Sequence, residues 1–262
     1  GIGSRGPGES QLELNRRSVR NQIHDIERQL KAVEKNRATV REKRLESSIF
    51  KIGLIGYTNA GKSTIMNCLT SKSQYEADEL FATLDATTKN INLSGQLNVT
   101  LTDTVGFIQD LPTELVSSFK STLEESKNVD LLVHVIDASD PHHEEHEKTV
   151  LDIMKELDML DIPRLTLYNK ADKSEDFTPT LTPYSLISAK ADNSRAVLQQ
   201  VLLERMKELF LPFTIKVAPS KAYKIHDLES VAILEDRDYQ EDGEVITGYI
   251  SEKNKWRLEE FY

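Results

Sequence analysis

A narrow stripe of apolar residues recurs near the start of the chain. Between residues 12 and 40 the apolar positions repeat at steps of three, four and seven, with charged residues between them: Leu12, Val19, Ile23, Ile26, Leu30, Val33 and Val40. This heptad spacing predicts a helix that ends near residue 46 and whose thin seam fits one partner helix rather than a broad core. Residues 1–10 carry four glycines and a proline, which predicts a loop ahead of the helix.

The seam leaves two arrangements open. We expect the helix to be one limb of an antiparallel helical hairpin whose other limb lies upstream, with the glycine-rich loop at the tip. The alternative is a coiled coil through which two copies of the chain dimerise. Because the chain begins with Gly1-Ile2-Gly3 rather than Met, we expect it to be a fragment of a longer protein.

From residue 50 onward, apolar strands alternate with helices. Strands are predicted over residues 50–56, 90–93, 98–103, 130–137 and 162–169, and helices over residues 62–70, 113–126, 144–160 and 194–209. Continuous apolar strands such as 130–137 are typical of a parallel sheet covered on both faces. After Pro212 the pattern of apolar and charged residues changes. Short strand candidates at residues 213–217, 230–234 and 244–250 are separated by charged stretches.

These elements predict an α/β fold in three parts. A coiled-coil arm (residues 1–48) precedes a doubly wound sheet domain (residues 49–211), and a small α+β module (residues 212–262) follows. In a doubly wound sheet the ligand-binding loops lie at the carboxyl ends of the strands. Motifs at those strand ends therefore carry most of the functional information.

Charge is unevenly distributed along the chain. Residues 1–48 hold 11 Lys and Arg against 7 Asp and Glu, a balance of +4, whereas the remaining residues sum to −14 and bring the total to −10. A basic arm on an acidic body is expected when one segment faces phosphate and the rest does not. The total charge argues against a globally basic nucleic-acid binder.

Cysteine content and hydropathy narrow the class of protein. The single cysteine, Cys68, excludes a disulfide framework and a multi-cysteine metal site. No stretch approaches 18 consecutive apolar residues, and the N-terminus lacks the plan of a signal peptide. We expect a cytoplasmic monomer that does not insert into membranes.

The residues between the first predicted strand and helix form a phosphate-binding motif. Residues 56–63 fit G-x-x-x-x-G-K-[ST] in the strand–loop–helix context that makes this motif specific. Backbone N–H groups can close on phosphates there, and the helix N-terminus adds positive potential. Lys62 is the expected catalytic contact to the β- and γ-phosphates, and Ser63 the expected Mg²⁺ ligand. The predicted nucleotide contacts are Gly56, Asn59, Ala60, Gly61, Lys62, Ser63 and Thr64.

Further residues are expected to serve the metal ion and the γ-phosphate. Asp103 ends a predicted strand in the motif D-x-x-G, where it would hold Mg²⁺ through a water and the Gly106 N–H would sense the γ-phosphate. Residues 80–88 are rich in threonine and weakly periodic, as a switch loop is. Thr83 is our candidate for reaching Mg²⁺ and the γ-phosphate, and Thr87 and Thr88 stay open as alternatives.

The run Asn169-Lys170-Ala171-Asp172 selects the base. The Asp172 carboxylate can accept from guanine N1–H and the 2-amino group together, whereas adenine offers no donor on that edge. The apolar stem of Lys170 can lie along the base, and Asn169 can tie its loop to the phosphate-binding motif. Ser188-Ala189-Lys190 ends the last strand, which would place the Ala189 N–H at guanine O6. These motifs together predict a P-loop GTPase with GTP as substrate.

Three residue sets bear on mechanism or on metals. Phe107 stands where Ras-like enzymes carry a water-orienting glutamine, so intrinsic hydrolysis is expected to be slow. Asn59 matches the asparagine with which potassium-dependent GTPases hold K⁺ beside the phosphates, although it could simply stabilise the loop. His142 and His146 lie one helical turn apart, but their position at a helix start favours exposed side chains over a metal site.

The motifs resemble those of one family in particular. Residues 6–17, Gly-Pro-Gly-Glu-Ser-Gln-Leu-Glu-Leu-Asn-Arg-Arg, are similar to the G-x-G-E-[ST]-Q-L-E-x-[DN]-R-R signature of the HflX family. Residues 56–64, 80–85 and 103–108 also resemble that family's versions of the GTPase motifs. The resemblance covers residues 3 to about 210.

The resemblance implies a GTPase that binds the large (50S) ribosomal subunit and splits stalled or idle ribosomes. In that family the hairpin tip reaches toward the peptidyl transferase centre, which maps here onto residues 1–9 with Arg5 as the cation. Arg16, Arg17 and Arg20 would then meet ribosomal RNA. The alternative is a K⁺-stimulated GTPase switch in RNA modification or ribosome assembly that dimerises through the coiled coil.

Overall fold

The computed structural model describes residues 7–45, 48–57, 59–70, 87–103, 125–174 and 177–262. For residues 7–9, 36–45, 87, 125 and 126 only the backbone is described. The predicted helix over residues 113–126 lies almost wholly outside these ranges. Within them, no helix is both long and apolar enough to cross a membrane.

A six-stranded sheet forms the centre of the molecule. Its strands are β1 (Phe50–Gly56), β2 (Thr87–Asn92), β3 (Asn98–Asp103), β4 (Leu131–Asp137), β5 (Arg164–Asn169) and β6 (Tyr184–Leu186), in the spatial order β2-β3-β1-β4-β5-β6. Only β2 runs antiparallel to its neighbour, and the other pairs are parallel. β1 and β4 are buried along their length because they occupy the middle of the sheet. The predicted α/β class and the five main strands are confirmed.

Helices cover both faces of this sheet. α2 (Lys62–Thr70) and α4 (Ser194–Leu209) pack on one face, where Met66, Val133 and Leu202 belong to the largest apolar core. α3 (His143–Glu156) packs on the other face, where Leu132, Val150 and Met154 belong to a second core. We call this second core, which also includes Leu30, Ile55, Leu157 and Met159, the α3 core.

α3 ends four residues earlier than the periodicity predicts. Asp158 adopts a left-handed backbone conformation, with φ 54°. The Met159 N–H then donates to the Met154 carbonyl at 2.8 Å and the Asp158 N–H to the Lys155 carbonyl at 3.2 Å. This pair of bonds is a Schellman motif, which satisfies the last carbonyls of the helix and turns the chain away. The apolar residues after Glu156 that extended the prediction belong to the turn.

The N-terminal arm is a single helix, α1 (Pro7–Leu45). It begins at Pro7, so the prediction that residues 7–10 are a loop is wrong; proline is well tolerated in the first turn of a helix because no N–H bond is lost there. The heptad seam divides in two. Leu12 and Val19 are 56% and 54% exposed, whereas Leu30 is 3% exposed and lies in the α3 core. The C-terminal half of the seam thus packs on the sheet domain.

A second, three-stranded antiparallel sheet follows α4. It consists of β7 (Leu211–Val217), β8 (Ala232–Gln240) and β9 (Gly243–Ile250), in the order β7-β9-β8. β8 continues six residues beyond the predicted end at residue 234, because its charged continuation still pairs with β9 while both faces are exposed. α5 (Ile225–Glu229) covers one face. The two sheets meet where the Asn98 N–H donates to the Ser230 carbonyl at 2.9 Å and Phe50 packs edge-on against Phe210.

The C-terminal 3₁₀ segment Glu252–Phe261 fastens the start of β1. Lys253 Nζ donates to the Ile49 carbonyl at 2.7 Å and pairs with Asp130 at 2.9 Å. Asn254 Nδ2 donates to the Ser48 carbonyl at 2.7 Å. Ser48 and Ile49, directly before β1, are therefore held by Asn254 and Lys253.

Candidate nucleotide-binding site

The phosphate-binding motif, residues 56–63, lies at the carboxyl end of β1 and opens α2. Gly61 has φ 104°, a conformation that side chains disfavour, and a Cβ there would lie 2.1 Å from Asn169 Nδ2. Only glycine therefore allows this loop to approach the end of β5. Ala60 is buried, Ser63 and Thr64 are half-buried at the start of α2, and Asn59 is exposed.

Lys62 and Asp103 form a buried ion pair beneath the loop. Lys62 Nζ lies 3.5 Å from Asp103 Oδ1, and the two side chains are 5% and 9% exposed. Burial lowers the pKa of Lys62 below its ordinary value, and the Asp103 charge offsets this effect only in part. Burial raises the pKa of Asp103 in the same way, against the charge of Lys62. Both groups would gain from a further ligand of opposite charge.

The residues at this point fit a magnesium ion. Asp103 Oδ1 is buried and accepts no hydrogen bond from the part of the chain that the structure describes. Carboxylate and serine hydroxyl oxygens are hard donors of the kind that Mg²⁺ takes. Asp103 and Ser63 would hold the ion. The third predicted ligand, Thr83, lies outside the described residues.

Asn169 joins three loops at the end of β5. Its Nδ2 donates to the Ala60 carbonyl at 3.0 Å, which confirms the predicted tie to the phosphate-binding motif. Its Oδ1 accepts from the Lys170 N–H at 2.9 Å and from the Ala189 N–H at 3.0 Å. The Ala189 N–H, which we expected at guanine O6, therefore holds Asn169 instead. Asn169 is 2% exposed, so these bonds are shielded from water.

Lys170 crosses from the base-binding loop to the phosphate-binding motif. Its backbone is left-handed, with φ 59°. Its Nζ donates to Asp137 Oδ2 at 2.8 Å and to the Asn59 carbonyl at 3.4 Å. Asp137 ends β4, and the sequence reading missed it. Its position in the sequence could have indicated a role, because a carboxylate at the carboxyl end of a central strand lies where ligand-binding loops gather.

The Asp137 carboxylate is itself fixed by its own loop. Its Oδ1 accepts from the Ser139 N–H at 2.9 Å and from the Ser139 hydroxyl at 2.6 Å. Burial opposes ionisation of this carboxyl, but the hydrogen bonds from Lys170 and Ser139 outweigh it and lower the pKa of Asp137. Asp137 is therefore a charged anchor at neutral pH.

Asp172 lies on the 3₁₀ turn Ala171–Lys173 and is exposed. It borders an open cavity of about 270 Å³, to which Ser188 and Leu186 also contribute. Lys190 is exposed beside it. The structure thus brings Asn169, Lys170, Asp172 and the 188–190 loop together at one edge of the sheet.

Several predicted residues lie outside the described ranges. They are Arg5 of the arm tip, Thr83 of the switch loop, and Gly106 and Phe107 of the D-x-x-G segment. The structure bears on one alternative, because the Thr88 hydroxyl pairs with the Thr102 hydroxyl at 2.9 Å inside the β2–β3 ladder. Thr88 is therefore occupied in the sheet.

The histidine cluster at the start of α3 serves packing contacts. The His146 ring stacks on the Tyr57 ring of the phosphate-binding motif, with centroids 3.9 Å apart and an interplanar angle of 19°. His146 Nδ1 is also 3.8 Å from Asp140. The described residues contain no group of three His, Cys, Asp or Glu side chains placed to hold a metal ion. Tyr57 also packs against the α3 core, as do Ile23 and Ile26 of α1.

Comparison with known proteins decides the family. Residues 51–170 match the family model described as "50S ribosome-binding GTPase", and residues 1–44 match the one described as "GTP-binding GTPase Middle Region". The protein named GTPase HflX of Alkalihalophilus pseudofirmus is 44% identical over 96% of this chain. The chain belongs to the HflX family. The HflX relative of Escherichia coli is 40% identical over 94% of the chain.

The match to these HflX proteins is partial in length. The chain spans about 60% of the relative from Alkalihalophilus pseudofirmus and 59% of the one from Escherichia coli. Among solved structures, a GTP-binding protein from the archaeon Sulfolobus solfataricus in complex with GDP is 26% identical, with a TM-score of 0.50 over 72% of this chain and 67% of that one. The HflX chain therefore shares the P-loop GTPase fold.

Proposed function

We propose that this chain binds and hydrolyses GTP, and that it binds the large ribosomal subunit and splits stalled or idle ribosomes. The observation that carries the nucleotide part is the set of bonds at Asn169. One buried side chain links the phosphate-binding motif, the base-selecting loop and the 188–190 loop within 3.0 Å. Such a link sets the distance between a phosphate site and a base site.

The chain's own residues bind the phosphates. The backbone N–H groups of residues 61–63, at the N-terminus of α2, would donate to the phosphates, and Lys62 supplies a buried positive charge. Mg²⁺, held by Ser63 and Asp103, would neutralise the charge that builds up between the β- and γ-phosphates. Thr83 and Gly106 complete the proposed γ-phosphate contacts.

The base contacts select guanine. The exposed Asp172 carboxylate accepts from guanine N1–H and the 2-amino group, and the Lys170 stem covers the base. Ser188, Ala189 and Lys190 close the other side. Because the Ala189 N–H is engaged with Asn169, the 188–190 loop acts on the base mainly by shape.

The ribosomal part rests on the arm and on the family. The family model over residues 51–170 is described as a 50S ribosome-binding GTPase. The upper half of α1 is exposed and carries the exposed cations Arg16, Arg17 and Arg20, which suit RNA phosphates. We propose the arm (residues 1–48, with Arg5 at its tip), the GTPase domain (49–211) and the small module (212–262) as the working parts.

A dimeric, K⁺-stimulated switch is the less favoured function. Dimerisation would need the seam of α1, but Leu30 is buried in the α3 core with Ile23 and Ile26 beside it. A monomer fits better. The K⁺ site does not depend on dimerisation. We propose that Asn59, exposed at the loop, helps to hold K⁺ beside the phosphates.

Charge reversal on α1 tests the ribosomal proposal. Deleting residues 1–48 would uncover the α3 core, so the better variant is Arg16→Glu/Arg17→Glu/Arg20→Glu. We expect it to pellet with purified large subunits at least about tenfold more weakly in the presence of a GTP analogue, and with a shallower dependence on salt. The control carries the same charge change at exposed lysines of the body that lie outside the nucleotide site, Lys148→Glu/Lys155→Glu/Lys255→Glu.

Turnover gives the second measurement. Large subunits should stimulate GTP hydrolysis by the wild-type chain and by the lysine control, and much less by the arginine variant. Equal pelleting and equal stimulation for all three proteins would overturn the ribosomal proposal. Exchange of K⁺ for Na⁺ in the same assay tests Asn59.

A further inference from the structure

The base-binding side of the site contains a charged residue that lies outside every GTPase motif. Asp137 ends β4 and faces Asn169 in the register of the β4–β5 pair. Its side chain is 16% exposed and its Oδ2 lies 2.8 Å from Lys170 Nζ. The Ala138 N–H next to it donates to the Asn169 carbonyl at 2.8 Å. Asp137 thus stands directly behind the base-selecting loop.

Lys170 needs such an anchor for two reasons. A lysine in the left-handed conformation is uncommon, so its backbone alone does not favour the observed direction of the side chain. Four methylene groups also give a free lysine many rotamers, whose loss weakens binding if it occurs when the ligand arrives. Two contacts within the protein restrict that freedom: one to Asp137, the other to the Asn59 carbonyl.

Asp137 is rigid enough to act as the anchor. Its Oδ1 accepts two bonds from Ser139, so the carboxylate is held in one orientation and Oδ2 faces Lys170. The bond between Oδ2 and the ammonium joins two full charges at low exposure, which makes it one of the stronger kinds of hydrogen bond.

We propose that Asp137 is a positioning residue of the guanine site, which holds the Lys170 ammonium so that the lysine stem forms a fixed wall for the base. The proposal rests on the proposed guanine-nucleotide binding. Asp137 acts through Lys170 and makes no contact with the nucleotide itself. It differs from Asp172, which reads the exocyclic groups of the base.

Asp137→Asn tests this role with little change of shape, because the amide oxygen can still accept from Ser139. We expect the rate of GDP dissociation, measured by displacement of a fluorescent GDP, to rise about tenfold. The control is Asp140→Asn, which removes the same charge three residues away, where the carboxylate accepts from the His142 N–H instead. The control should dissociate GDP at the wild-type rate.

Two readouts separate positioning from a merely structural role. The lysine stem covers guanine and hypoxanthine alike, so the preference for GDP over IDP should stay as in the wild type. If Asp137 merely supported the loop, Asp172 would move and that preference would fall, which would overturn the proposal. In a Lys170→Met background, Asp137→Asn should not raise the rate of GDP dissociation further. An additive increase in that rate would also overturn the proposal.

Different results would contradict the role of Asp137 and the proposed nucleotide binding. A wild-type chain that binds GDP no better than ADP would remove the nucleotide proposal itself. A wild-type chain that binds GDP tightly, with Asp137→Asn and Asp140→Asn both dissociating at the wild-type rate, would remove only the role of Asp137.

Discussion

The two ends of the nucleotide site are built in opposite ways. At the base end, Asn169, Lys170 and Asp137 are tied by hydrogen bonds of 2.8–3.0 Å. At the phosphate end, Lys62 and Asp103 are buried with shifted pKa values, and Lys62 Nζ lies 3.5 Å from Asp103 Oδ1. The base end is held by hydrogen bonds within the protein, whereas the phosphate end contains two buried charges whose pKa values are shifted.

This difference assigns different work to the two ends. A preassembled base end costs little conformational entropy when the nucleotide binds, so it contributes affinity and selectivity. A phosphate end whose buried charges have shifted pKa values changes most when phosphate and metal arrive, so it can report which nucleotide is bound.

Removing the buried cation should have the largest effect. Lys62→Ala deletes charge-assisted bonds to phosphate worth roughly 3–4 kcal/mol together, so affinity for GTP should fall at least about a hundredfold in calorimetry. Guanosine, which has no phosphate, should bind the variant as it binds the wild type. The exposed Lys155→Ala serves as control. A parallel loss of guanosine binding would show that the two ends are not separate.

Exchange of the base-reading acid should invert selectivity. Asp172→Asn replaces an acceptor by a donor, which suits xanthine O2 rather than the guanine 2-amino group. We expect affinity for GDP to fall by about a hundredfold while that for XDP rises, because buried polar groups left unpaired discriminate strongly. Competition between the two nucleotides measures the ratio, and Asp192→Asn, an exposed acid, should leave it unchanged.

Cutting the central link should weaken fold and binding together. Asn169→Ala leaves the Ala60 carbonyl and the Ala189 N–H without their partner, which should cost about 2–4 kcal/mol and lower Tm by roughly 5–10 °C. GDP affinity should fall about tenfold or more. Asn92→Ala, at an exposed position of β2, is the control. An unchanged Tm would mean that the base end is not preassembled.

Acidic pH should destabilise the fold through β4, the strand that supports both ends of the nucleotide site. His134 lies on β4 between Ile55 and Thr166, and its Nδ1 has no hydrogen-bond partner within the described ranges. Burial, and then the charge of Arg164, lower the pKa of His134 to about 3. Below the unfolded-state value of 6.5 the unfolded chain binds a proton that the folded chain refuses, so stability falls as pH drops from 6.5 toward 3.

A non-titrating variant isolates this contribution. Between pH 7.5 and 5 the wild type should lose about 2 kcal/mol more unfolding free energy than His134→Leu, as measured by urea denaturation. Equal losses in the two proteins would show that His134 takes up a proton as readily when folded as when unfolded.

The sequence predicted the parts of the fold that depend on local patterns. The phosphate-binding motif, the buried strands and α4 depend on spacing within about twenty residues, and the structure has them where the pattern put them. The end of α3 was misplaced because Met159 is apolar and in phase, although Asp158 turns the backbone to a positive φ. Periodicity does not reveal such a turn when the residue is not glycine.

Contacts between distant segments were beyond the sequence. The seam of α1 predicted a helical partner, but nothing in its spacing could tell that Leu30 packs beside Val150 and Met154 of α3. The tie from Asn169 to Ala60 was expected from the motif order, whereas the bond from Lys170 to Asp137 was not, because Asp137 belongs to no motif. The stack of Tyr57 on His146 was missed for the same reason.

The bond from Lys253 to the residue before β1 has a consequence for folding during synthesis. The bond to the Ile49 carbonyl joins residues 204 positions apart. At translation rates of about 5–20 residues per second, roughly 10–40 s pass between the appearance of the two partners. During that interval the strand that leads into the nucleotide loop lacks the restraint from Lys253. A nascent chain would therefore be more open to chaperones or proteases at this joint until residue 253 has been made.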